Sequence, residues 1–133
     1  MAAMLDLRFL ADPYAVCWLE ATAPIPAWVE GEGFLSILRA EDDLTVACRQ
    51  SRVPPEVRAE RDWCCPRLSG PFVSGLTGIL AAPLAQAGEG IFAVSTYSTD
   101  YLLVKTHHLA WALAALGQAG HRVHNAEVPC QKE

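Results

Sequence analysis

Residues Gly90 to Lys105 read GIFAVSTYSTDYLLVK, and the glycine-rich run SGPFVSGLTGILAAPLAQAG leads into them. The first stretch reads as a β-hairpin, with arms IFAVST and DYLLVK around Tyr97-Ser98-Thr99. β-Branched and aromatic residues fill both arms, and Ser, Thr and Asp gather between them. Ile91 to Val94 is continuously apolar, which predicts a central strand covered on its faces. Asp100 then sits where the polar turn meets a buried sheet, as a turn-former or as a ligand for something.

Downstream of the hairpin, Thr106 is placed to cap a helix over HHLAWALAALGQAG, with Leu109, Leu113 and Leu116 on one face. HRVHN, from His121 to Asn125, reads as a last strand before a loosely held tail. Upstream, ILAAPLAQA is helical with Gly88 as its stop, and Trp63 to Gly70 is a strand. Pro66 inside that strand points to an edge or a bulge. Residues 63–125 thus run β-α-β-β-α-β, the ferredoxin-like order.

The first half repeats that order in worn form. Leu5 to Leu10 and Tyr14 to Glu20 read as an opening hairpin about Asp12-Pro13. A short helix is expected near Pro26 to Glu30. Strands follow at Phe34 to Ala40 and Leu44 to Gln50, around the acidic turn Glu41-Asp42-Asp43. VPPEVRAERD is proline-broken and holds one helical turn at most. The expected class is α+β: two ferredoxin-like units in tandem, residues 1–62 and 63–125, the first with degenerate short helices, then a tail at 126–133.

The chain has 133 residues, a 52% apolar share and a net charge of −5. That length buries roughly two-thirds of the unfolded surface, enough for a core without staples. The negative charge argues against nucleic acid or an anionic membrane as the main partner. No run approaches the roughly 20 apolar residues of a membrane span. The N-terminus lacks the basic start of a signal peptide, and the five cysteines are an odd set without framework spacing. Together these predict a cytoplasmic protein with reduced thiols.

The run LTGIL…PLAQAG…IFAVSTYSTDYLLVK resembles the small tandem ACT-domain proteins of bacteria, which are related to the CASTOR-type cytosolic arginine sensors. IPAW, FLSILRAEDDLTVAC and the strand ending in GP extend the resemblance over about Leu5 to Val123. It implies an amino-acid-binding regulatory fold with the ligand between ACT units. The matching loop and helix-start positions are Thr77, Gly78 and Ile79, and the matching strand-end positions are Thr96, Tyr97 and Asp100. The chain departs from the pattern in three places. The spacing from Gly78 to Pro83 is about one helical turn short, Ser98 replaces a frequent Asp, and Phe72 to Gly75 lacks an acidic and aromatic pair. The resemblance also implies pairing of units into a homodimer.

The chemistry of that site stands beside the resemblance. A helix start at Gly78 to Leu80 offers unpaired N–H groups for a carboxylate. Gly75 and Gly78 let backbone approach a ligand. Asp100 takes an ammonium as a charge-assisted pair, or else caps its own turn. The expected site is therefore Gly75, Thr77, Gly78, Ile79, Thr96, Tyr97 and Asp100, in a sensor that is not an enzyme and carries no cofactor. The alternative is a ligand-free oligomerisation or protein-interaction module, in which Trp111 and a sheet edge make the contacts. No metal site is expected. His121 and His124 stand three apart on a strand and face opposite sides, and Cys64 and Cys65, beside Trp63, read as core. His107 and His108 open a helix without a partner for catalysis.

Overall fold

The hairpin forms the hinge of one continuous sheet. The computed structural model describes residues 6–69, 91–118 and 122–124. Along them run β1 (Asp6–Phe9), β2 (Tyr14–Leu19), β3 (Ser36–Arg39), β4 (Leu44–Arg49), β5 (Ala59–Cys64), β6 (Pro66–Ser69), β7 (Ile91–Ser95), β8 (Asp100–Lys105) and β9 (Arg122–His124). One α-helix is described, α1 (Leu109–Gln118), with 3-10 turns at Ala27–Val29, Gln50–Arg52 and Thr106–His108. The expected helix ILAAPLAQA lies outside the described residues. The strands make a nine-stranded sheet in the order β3-β4-β2-β5-β8-β6-β1-β9, with β7 paired to β8. It is antiparallel except where β1 meets β9.

The expected opening hairpin does not form. β1 pairs with β6 and β2 pairs with β5, so both run the same way along one partner strand. Asp12-Pro13 makes a jog, not a reversal. Leu10 N–H donates to Cys65 O at 3.0 Å, Gln50 N–H to Pro13 O at 2.9 Å, and Arg49 pairs with Asp12 at 3.2 Å. These bonds hold the bent segment from the outside, so the strand resumes at Tyr14.

Four further expectations are corrected. VPPEVRAERD, expected to hold one helical turn at most, gives its last residues to β5. Pro66 is not at an edge, because β6 lies between β1 and β8; it is the first residue of its strand, where a missing N–H is tolerated. β7 is not central: among the described residues it pairs only with β8, and the buried strand of the hairpin is β8. Thr106 starts the 3-10 turn and its side chain does not cap the helix; its hydroxyl lies 3.6 Å from Cys64 Sγ.

Alternation along the strands sorts the core onto two faces. On one face Ala15, Cys17, Leu44, Val46 and Cys48 pack under Val29 and Val53, which the 3-10 turns deliver. Farther along that side Phe9 and Cys64 meet Leu109 of α1, with Leu113 beside them. On the other face Tyr14, Ala47, Trp63, Cys65 and Leu103 gather with Phe34. Cys64 and Cys65 thus enter different clusters, as adjacent strand residues must. Phe34 stacks on Tyr101 with centroids 4.3 Å apart, tying the entry to β3 onto β8.

A bulge in β5 keeps this second face in register. Asp62 has φ 69°, and Gln50 grips it from across the bend: Asp62 N–H donates to Gln50 Oε1 at 2.6 Å, and Gln50 Nε2 to Asp62 Oδ1 at 3.1 Å. The extra residue lets Glu60, opposite Val16, and Trp63, opposite Tyr14, share one face despite their odd spacing.

Candidate functional site

Asp100 begins β8, opposite Ser95 at the mouth of the hairpin. It is 4% exposed and is the one buried charged residue among the described residues. With Leu102 and Val104 it belongs to the face that carries Cys64 and α1. The turn before it is built by Thr96. Thr96 N–H donates to Thr99 O at 2.8 Å, and the Thr96 hydroxyl donates to the same carbonyl at 3.0 Å. That hydroxyl also accepts the N–H groups of Ser98 at 3.2 Å and Thr99 at 3.1 Å. Thr96 is therefore a residue whose side chain closes the turn.

Of the expected site, Asp100 is buried, Thr96 is an exposed turn-former, and Tyr97 points fully into solvent at the tip. Gly75, Thr77, Gly78 and Ile79 lie outside the described residues. Tyr97 is not brought to Asp100. His107 and His108 end the 3-10 turn, with ring centroids 4.1 Å apart and the ring planes tilted by 50°. Among the described residues no three His, Cys, Asp or Glu groups are placed to hold a metal ion. None of the described helices is long and apolar enough to cross a membrane.

A second set of residues escaped the reading of the sequence. On the face opposite Asp100 the sheet curls around a concavity of about 320 Å³ lined by Val16, Trp18, Thr45, Ala59 and Phe92, with Arg58 and Glu60 at its rim. The Arg58 guanidinium carbon stands 5.0 Å from the centroid of the Trp18 ring. Glu60 pairs with Lys105 Nζ at 3.1 Å. Lys105 also donates to Arg61 O at 2.9 Å and stands 5.0 Å over the Trp63 ring. The available signal was the Arg58, Glu60 alternation, hidden behind Pro54 and Pro55.

The four described cysteines are free thiols and all are buried. A hydrogen bond donated to Cys48, together with burial, pushes the Cys17 thiol up; the same bond pulls Cys48 down, and burial pushes Cys65 up. Cys17 and Cys65 are therefore held as thiols.

Comparison with known proteins divides the chain at the start of β5. A family model described as an N-terminal domain matches residues 12–56, and the ACT domain model matches residues 58–118. Among solved structures, protein Atu0741 from Agobacterium tumefaciens is similar at 38% identity and TM-score 0.88, over 92% of this chain and 93% of that one. VC0802 of Vibrio cholerae, a protein of unknown function described as a possible transport protein, shares the fold at 19% identity and TM-score 0.70, over 86% of this chain and 89% of its own. An allosteric aspartate kinase of Clostridium acetobutylicum shares it at 10% identity and TM-score 0.62, over 85% of this chain but 34% of the kinase. No curated protein matches the chain.

Proposed function

As the chain is an ACT-domain protein, of one family with Atu0741 of Agobacterium tumefaciens, we propose that it is an amino-acid-binding regulatory module and not an enzyme. The ligand lies at the junction of two ACT-type units, held by the glycine loop and helix start on one side and by Asp100 on the other. Binding shifts that junction and so changes how a partner is held.

The observation that carries this reading is Asp100. Its side chain is buried at the start of β8, within the stretch that matches the ACT model, while the neighbouring turn is closed by Thr96. A carboxylate has capacity for more than one donor, and a ligand ammonium is a charge-assisted one. Strand order supports the tandem arrangement. β3-β4-β2-β5 has the order of a βαββαβ sheet, and β7-β8-β6-β9 repeats it with β1 inserted before β9. The units are residues 1–62 and 63–125, and kinship with CASTOR-type sensors belongs to the same proposal. The likeness to an allosteric kinase lends fold-level support only.

Thermal unfolding against each free amino acid at millimolar concentration tests the reading. A ligand at 100 times its Kd adds about 2.7 kcal/mol, a shift of several degrees for a domain of this length. The expected result is a shift for one amino acid that Asp100→Asn abolishes. No shift with any of them refutes it. One observation favours a ligand-free module instead: β7 offers an outer edge to which no other strand is paired among the described residues. A concentration-dependent dimer in light scattering, with no ligand shift, selects that alternative.

A further inference from the structure

The concavity on the far face of the sheet is independent of Asp100. We propose that it is a second small-molecule site, and that its ligand is a free amino acid with an apolar or aromatic side chain. The volume of about 320 Å³ falls at the lower end of the roughly 300–1,000 Å³ range of small-molecule pockets. Such a pocket combines an apolar body with a few convergent polar groups. Here Val16 and Thr45 make the floor, and Trp18 and Phe92 stand on β2 and β7, one from each half of the chain.

The rim sets the chemistry. Arg58 immediately precedes β5 and Glu60 stands on it, and both face the concavity, roughly 7 Å apart along the extended chain. Trp18 N–H donates to Arg58 O at 2.9 Å, and Glu60 is in register with Val16, which holds both charges beside the apolar floor. Arg58 lies over Trp18 and forms no ion pair among the described residues, so its fork of donors is open to a carboxylate. Glu60 meets Lys105 through one oxygen while its side chain stays 73% exposed. A carboxylate has capacity for a second cationic donor. A guanidinium and a carboxylate side by side above an apolar cleft match a zwitterion whose side chain enters the cleft. A simple fatty or aromatic acid would leave Glu60 facing nothing of opposite charge on the ligand.

The test is calorimetric titration of the full chain with L-phenylalanine and L-leucine, then with L-phenylalaninamide and 3-phenylpropionate, which lack the carboxylate and the ammonium respectively. One of the two amino acids binds, and each analogue binds about tenfold or more weakly, the loss expected for one charge-assisted hydrogen bond. Arg58→Gln and Glu60→Gln weaken binding by the same order while leaving the melting temperature of the free protein in place, since both side chains are exposed. The inference is overturned by any of three results. Neither amino acid binds; or the two rim variants bind like the parent while Asp100→Asn does not, which moves the ligand to the hairpin mouth; or Arg58→Gln dissociates a dimer, which makes the face a contact between copies.

Discussion

Tyr14→Phe removes one atom from the centre of the fold. Tyr14 is 1% exposed, and its hydroxyl accepts the Phe34 N–H at 3.0 Å. That bond fixes the entry to β3 against β2, and Phe34 passes the constraint on to Tyr101 through ring stacking at 4.3 Å. Phenylalanine fills the same space, so no cavity opens. What remains is a buried amide without its acceptor, which costs about 1–3 kcal/mol. With an unfolding entropy of about 2.1 cal/mol/K per residue, the midpoint falls by roughly 4–11 °C. Urea unfolding should show a lower midpoint with an unchanged slope, because the surface exposed on unfolding is the same. Tyr97→Phe at the exposed hairpin tip is the control and should move stability by no more than about 0.5 kcal/mol. If Tyr14→Phe moves it as little, the hydroxyl is not what satisfies Phe34 and the reasoning fails.

The same hydroxyl predicts a pH effect. Burial pushes the Tyr14 phenol above its ordinary value. Below about pH 10 both folded and unfolded chains hold that proton and the stabilisation is complete; above it the unfolded chain releases the proton first, and stability falls as pH rises through the folded value. Urea midpoints between neutral and alkaline pH should therefore drop more steeply for the parent than for Tyr14→Phe, and equal slopes would contradict this. Gly33→Ala should cost about 1–3 kcal/mol, because φ is +97° and a Cβ there would stand 2.8 Å from the Tyr14 hydroxyl; a melting temperature equal to the parent's would show that the loop relaxes freely. Leu103→Ala, at a fully buried position between Tyr14 and Trp63, should cost about 2–5 kcal/mol in urea unfolding. A thiol reagent at neutral pH should leave Cys17, Cys48, Cys64 and Cys65 unlabelled in the native protein and label all of them in denaturant; native labelling of any would disprove its burial.

What the sequence disclosed, and what it hid, follows from how far apart the deciding residues lie. β4 and β8 were legible because Val, Thr, Leu and Tyr are concentrated within a few residues, and the β7–β8 turn was legible because Thr96, Ser98 and Thr99 are local. Asp12-Pro13 carries an equally good local turn signal, yet it yields a jog. Its outcome is decided by Cys65, Gln50 and Arg49, all more than 30 positions away. β5 was missed for a related reason. Ala-Glu-Arg-Asp follows two prolines and has no apolar alternation, and its strand character comes from β2 on one side and β8 on the other. Asp100 was visible as a carboxylate at a turn, but the feature that distinguishes it is burial, which belongs to the packed sheet.

The rim of the far concavity shows the consequence most sharply. A strand that slips by one residue exchanges its two faces. Without the extra residue at Asp62, a strand that kept Trp63 opposite Tyr14 would turn Glu60 and Arg58 toward the helical face. The residues that make this pocket are Arg58, Glu60 and Trp18, but the residue that places them is Gln50, through its two bonds to Asp62. Gln50 is not part of the cavity lining and carries no charge. It follows that a search of the sequence for chemistry alone would pass over the position on which the charged rim depends.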